Sequence, residues 1–128
     1  MTDWILIVDD EEMIRENLKA YLEDEGLGVA AFETVAGALG WLRDSGPCSV
    51  CIMDMRLPDM DGNSAIRVLH QLYPAMEFLI HTGSSSYGLP EDLRAMGLDD
   101  SRIYQKPLGD MAPLAAAART LAAREDSP

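Results

Sequence analysis

Basic residues, cysteine and histidine are all scarce in this chain, and each scarcity argues against a class of function. Ten lysines and arginines stand against 22 acids in 128 residues, for a formal net charge of −12. A surface of that sign repels phosphate backbones and anionic lipid headgroups, so neither nucleic acid nor a membrane surface is an expected partner. The two cysteines, Cys48 and Cys51, make a C-x-x-C spacing that can mark zinc or redox chemistry. They lie in or at the edge of an apolar strand, where positions three apart point to opposite faces, so they are read as small buried residues and not as a metal or disulfide pair. The only histidines, His70 and His81, fall on a helix and a strand and are read as structural. Long apolar runs are also missing. None approaches the roughly 20 residues of a membrane span, and Met1, Thr2 and Asp3 bring no basic flank of a signal peptide, so the expected setting is the cytoplasm. Linkers, repeats and low-complexity segments are lacking too, which predicts one domain over 1–124, a frayed tail over 125–128 and no output domain.

What is present is an alternation of two periodicities. Trp4 to Val8 is an unbroken apolar run, the pattern of a strand buried on both faces, and it stops at Asp9, Asp10, Glu11 and Glu12. Met13, Ile14, Leu18, Tyr21 and Leu22 then recur at helical spacing up to Gly26. Leu27 to Phe32 reads as a second strand. Thr34 is placed to cap a helix to about Arg43, with Val35, Ala38, Leu39 and Leu42 inward, before Ser45, Gly46 and Pro47 break it. Val50 to Met53 is the third strand, and Ala65, Ile66, Leu69 and Leu72 mark a helix that Pro74 ends. Glu77 to His81 is the fourth strand, followed by a serine-rich loop from Ser84 to Gly88 and a short helix from about Pro90 to Met96. Arg102 to Gln105 is a fifth strand, and Asp110 precedes a last helix to about Arg124 with the stripe Met111, Leu114, Ala118 and Leu121. Strand and helix alternating five times predict a doubly wound α/β domain with a parallel sheet between two helical layers.

In a parallel sheet all strands end on one edge, where open α/β folds bind ligands. Asp9 and Asp10, Asp54, Thr82 and Lys106 therefore arrive together on one rim from four strands. Three converging carboxylates repel one another and raise their own pKa values, and a hard divalent cation relieves this. Magnesium suits such a rim, since zinc would want the histidine or cysteine ligands it lacks. Lys106 and Thr82 add a cation and a hydroxyl, the groups that would hold the oxygens of a phosphoryl group carried on Asp54.

These five positions, with the loop Leu57, Pro58, Asp59, Met60, Asp61 and Gly62 after Asp54, make the whole chain resemble a receiver (CheY-like) domain of two-component response regulators. The resemblance implies a flavodoxin-like (βα)5 fold with strand order 2-1-3-4-5. It implies that Asp54 is the phosphoacceptor, that Thr82 and Lys106 act with it, and that Asp9, Asp10, Asp54 and the Arg56 carbonyl hold Mg2+. The implied donor is a sensor histidine kinase or histidine phosphotransfer protein, with output to a downstream target protein in trans. The implied catalysis is limited to the domain's own phosphorylation and dephosphorylation. The peptide before Pro107 is implied to be cis.

The chain departs from the family pattern where the family carries an aromatic switch residue on the fifth strand. That place holds Ile103, with Tyr104 one residue later. A branched aliphatic side chain lacks the polar tip that gives a tyrosine two stable positions, so the loop Ser84 to Gly88, with Tyr87, is the expected switch. Two other readings compete. A haloacid-dehalogenase-type aspartyl-phosphate hydrolase would need D-x-D after the first strand, where Asp9 and Asp10 are instead adjacent. A receiver-shaped binding module without phosphorylation would have no need of the acidic, hydroxyl and lysine positions together.

Overall fold

The computed structural model of the protein describes residues 4–46 and 48–125. Pro47 and positions 126–128 lie outside the described residues, and with them most of the expected frayed tail. Glu125 itself is the last residue of the final helix.

The strands are β1 (Trp4–Val8), β2 (Gly28–Phe32), β3 (Val50–Met53), β4 (Glu77–Thr82) and β5 (Ile103–Gln105). The helices between and after them are α1 (Glu12–Asp24), α2 (Val35–Ser45), α3 (Gly62–Leu72), α4 (Glu91–Ala95) and α5 (Ala112–Glu125), with a 3-10 turn over Asp100–Arg102. All strand pairs are parallel, in the order β2-β1-β3-β4-β5. The architecture is the doubly wound one that the alternation of periods predicts.

The apolar strands are buried on both faces because consecutive side chains feed two separate cores. Leu6, Val8, Cys51, Met53, Phe78 and Ile80 pack under α2, α3 and α4 with Val35, Ala38, Leu42, Ile66, Leu69 and Leu93. Ile5, Ile7, Val50, Ile52 and Leu79 pack under α1 and α5 with Leu18, Leu22, Leu114, Ala118 and Leu121. Each fully buried side chain of the Leu, Ile or Phe class contributes about 1.5–3 kcal/mol of transfer free energy, so the two cores hold the sheet as a rigid base for its rim.

Local chemistry sets the helix ends. The Thr34 hydroxyl accepts the Gly37 amide at 3.0 Å, and the Asp61 carboxylate accepts the Ser64 amide at 2.9 Å. Asp110 accepts the Ala112 amide at 3.0 Å, just ahead of α5.

Some sequence expectations fail in detail. Met13 is 78% exposed and Leu72 57%, although both sit on apolar stripes. Each lies at the end of its helix, where the stripe has run past the sheet beneath it. Cys48 and Cys51 do not point to opposite faces, for both belong to the core under α2 and α3. Cys48 precedes β3, so the strand alternation does not govern it. Both thiols are free and buried, and burial pushes Cys48 up to about 12 and Cys51 well above its ordinary range.

Candidate functional site

The topology brings the chemistry-bearing residues together at the point where the strand order reverses. β1 lies between β2 and β3, so the segments leaving these strands run side by side. The ladder continues one residue beyond the strands. The Asp9 amide donates to the Phe32 carbonyl at 3.0 Å and the Asp54 amide to the Val8 carbonyl at 3.0 Å. On the other side, the Lys106 amide donates to the Thr82 carbonyl at 2.8 Å. Asp9, Asp54, Thr82 and Lys106 are thus held by sheet backbone and not by loops. The peptide between Lys106 and Pro107 is cis.

Asp9 and Asp54 are buried, at 2% and 4% exposure, whereas Asp10 is exposed. Carboxylate oxygens of Asp9, Asp10, Glu11 and Asp54 lie within 4.8 Å of one another. The Lys106 ammonium, itself buried, sits against this group. It is 2.9 Å from Asp9 Oδ2, 2.8 Å from Glu11 Oε1 and 3.5 Å from Asp54 Oδ1. Burial, reinforced by repulsion from Asp9, pushes Asp54 up to about 6, and Lys106 offsets only part of this. Burial works to lower Lys106, but its bonds to Glu11 and Asp9 outweigh that and hold it above the usual lysine range. A crowd of hard oxygen donors around one ammonium, without histidine or cysteine, fits magnesium and does not fit zinc.

The acids open into a cleft of about 600 Å3, floored by Asp10, Glu11, Asp54 and Arg56 and walled by Thr82 and the loop from Gly83 to Ser86. Thr82 is buried, and its hydroxyl accepts the Ser84 amide at 3.1 Å, which fixes the start of that loop. Further on, the Gln105 side-chain Nε2 donates to the Ser84 carbonyl at 2.9 Å, and the Tyr87 hydroxyl donates to Asn63 Oδ1 on α3 at 2.6 Å. Ile103 packs in the core under α4, while Tyr104 lies on the opposite face against α5.

The loop after Asp54 is braced from three sides. The Arg56 amide donates to Asp54 Oδ1 at 3.4 Å, and Arg56 forms an isolated bridge with Asp61. Gly62 donates to the Met55 carbonyl at 3.0 Å. A Cβ at position 62 would strike the Asp54 carbonyl oxygen and come within 2.7 Å of the Met55 Cα, so only glycine permits this approach. The Asp59 carboxylate accepts the amides of Val35 at 3.2 Å and Ala36 at 3.0 Å. It thereby caps α2 from 23 residues away. Burial is the largest single influence on it and works to raise it, but these amide bonds with those of its own loop together outweigh that and hold it below the usual carboxylate range.

Asp9, Asp10, Asp54, Thr82 and Lys106, which the strand ends place at the rim, are found there, and Arg56, which the family resemblance adds, lies beside Asp54. Two contributors were not foreseen. Glu11 reads in the sequence as one more acid in a run of four, and its bond to Lys106 spans 95 residues. Asp59 reads as a turn residue, and no local pattern reveals a cap supplied across the fold.

The comparisons with known proteins agree with this geometry. Residues 5–118 match the family model of the response regulator receiver domain. An NtrX-like response regulator of Rickettsia bellii is 35% identical over 108 residues, covering 83% of this chain and 22% of that protein. The virulence transcriptional regulatory protein PhoP of Salmonella typhimurium is 31% identical over 96 residues, covering 75% and 42%. The chain thus spans less than half the length of these curated relatives. Among solved structures, a CheY-like receiver domain protein of Methanospirillum hungatei is 26% identical with a TM-score of 0.81, covering 98% of both chains. TrrA of Thermotoga maritima, solved in complex with Mg2+-BeF, is 27% identical with a TM-score of 0.76, covering 94% of this chain and 99% of that one. With the acid rim, the threonine and the lysine arranged on a 2-1-3-4-5 sheet, this chain belongs to the response regulator receiver domain family.

Proposed function

We propose that the domain accepts a phosphoryl group from a phosphohistidine onto Asp54. The observation that carries this reading is the position of Asp54. It is a buried carboxylate, pushed up to about 6, that faces a cleft with an ammonium at 3.5 Å and a hydroxyl on the next strand. An oxygen of the Asp54 carboxylate attacks phosphorus in line, the P–N bond to the imidazole breaks, and its electron pair stays on the leaving nitrogen. The product is an acyl phosphate on Asp54. Lys106 and the Thr82 hydroxyl are the groups placed to hold its oxygens, and Arg56 N–H steadies the carboxylate before attack. Asp9, Asp10, Asp54 and the Arg56 carbonyl would hold Mg2+. When bound, the cation supplies charge neutralisation between the acids and the phosphoryl oxygens.

The donor is a sensor histidine kinase or a histidine phosphotransfer protein. The receiver unit extends over about 1–124, and its setting is cytoplasmic. Catalysis is confined to the domain's own modification. The hydrolase reading falls with family membership and with a nucleophile that follows β3 and not β1. The test is incubation with acetyl phosphate, with and without Mg2+. Labelling that requires Mg2+ supports the reading, and no labelling under any condition refutes it.

A further inference from the structure

Lys106 is the only cation ion-paired with the side-chain carboxylates of Asp9, Glu11 and Asp54 among the described residues, and its contacts are unequal. Its side chain is 6% exposed, and its two short bonds go to Glu11 Oε1 at 2.8 Å and Asp9 Oδ2 at 2.9 Å. Asp54 Oδ1 stands at 3.5 Å, beyond the 2.7–2.9 Å of a charge-assisted hydrogen bond. Asp9 is buried on β1's end and cannot leave. Glu11 is different, because its side chain is 57% exposed and swings into water at little cost. It is also the N-cap residue of α1, yet its carboxylate makes no cap bond and is extended instead toward Lys106.

We propose that Glu11 is a positioning residue that draws the Lys106 ammonium away from Asp54 and must release it before Lys106 can bind a phosphoryl group there. Glu11 thereby biases the domain toward its unphosphorylated state. The inference rests on the reading of Asp54 as phosphoacceptor. Its chemistry is a competition for one ammonium between a solvated carboxylate and the oxygens of the group on Asp54. Any phosphoryl group, or a mimic of one, has to displace Glu11 from Lys106, so the Glu11–Lys106 bond is a fixed charge against every such state.

Two substitutions separate reach from charge. Glu11→Gln removes the charge and weakens the bond. Glu11→Asp keeps the charge, but the shorter side chain at an N-cap position turns back onto the amides of its own helix and no longer reaches Lys106. Beryllofluoride is titrated into each protein with saturating Mg2+, and fluorine NMR counts the bound form. Both variants are expected to bind about two- to fivefold more tightly than the parent, the scale of a half-exposed ion pair. Tightening in Glu11→Gln alone would show simple charge repulsion and overturn the proposal, as would unchanged or weaker binding in both. If the parent chain binds no beryllofluoride at all, it is the phosphoacceptor reading of Asp54 that fails.

Discussion

Replacing Asp54 with Asn should stabilise the protein at neutral and alkaline pH, and the gain should shrink in acid. The carboxyl is 4% exposed and is pushed from an ordinary 3.8 to about 6, chiefly by burial and then by Asp9. Each pH unit is worth about 1.36 kcal/mol, so keeping Asp54 ionised in the fold costs about 3 kcal/mol. The sign follows from linkage. An acid with a raised folded pKa destabilises the fold when ionised, so the cost is fully present above pH 6 and disappears as pH falls through 6 toward 4. Asn is nearly isosteric and carries no charge. It gives up only a long ion pair with Lys106, which keeps Asp9 and Glu11. Urea unfolding with a chelator present, at pH 8 and at pH 4.5, measures the difference. The expected gain is about 2–3 kcal/mol at pH 8, shrinking to about 1 kcal/mol at pH 4.5. Equal stability at pH 8, or a gain that does not shrink in acid, would refute the account of Asp54 as an uncompensated buried charge.

Asp10→Asn should weaken Mg2+ binding at least about tenfold, because a hard cation held by few carboxylates loses one of them. Titration calorimetry is the suitable probe, since Trp4 and Trp41 pack against each other, with Trp4 at the start of β1, far from the rim. Gly62→Ala should cost about 1–3 kcal/mol in urea unfolding, as the new methyl drives the Asp54–Met55 backbone aside. His81→Leu should raise stability by about 1 kcal/mol or more. Both imidazole nitrogens are buried without a hydrogen-bond partner, and burial followed by the Lys106 charge holds the group below its ordinary range. A histidine lowered in this way destabilises the fold as pH falls below about 6.5, so the gain should grow in acid; a constant or negative difference would contradict it. Phosphorylation should slow amide exchange over Ser84–Gly88 through Thr82. Protection confined to Ile103 and Tyr104 would show that the loop is not the switch.

The sheet was legible in the sequence because β1, β2 and β3 are unbroken apolar runs and α1, α2, α3 and α5 each carry an apolar stripe, so two periods alternate along the chain. The rim followed from topology, since parallel strands must end together. The short α4 was also visible, in the serines and glycines that delay it to Pro90. Contacts between distant segments were not legible. Glu11 to Lys106 and Asp59 to the start of α2 depend on which loops meet above the sheet, and neither spacing nor propensity encodes that. Cys48 misled because strand alternation was extended one step beyond the strand. Met13 and Leu72 misled because periodicity shows which side of a helix faces inward, and not where the surface beneath it stops. At Ile103 the sequence showed that the aromatic was missing. The structure adds what surrounds the loop instead, the Tyr87–Asn63 and Gln105–Ser84 bonds that tie it to α3 and β5.

The central claim is that Asp54 carries the phosphoryl group. The most direct measurement is borohydride reduction of protein treated with acetyl phosphate and Mg2+, followed by peptide mass spectrometry. Reduction converts an aspartyl phosphate to homoserine, so the account predicts homoserine at position 54 and nowhere else, and none in Asp54→Asn. Homoserine at Asp9 or Asp10, or a phosphoryl group that persists on the Asp54→Asn variant, would contradict it.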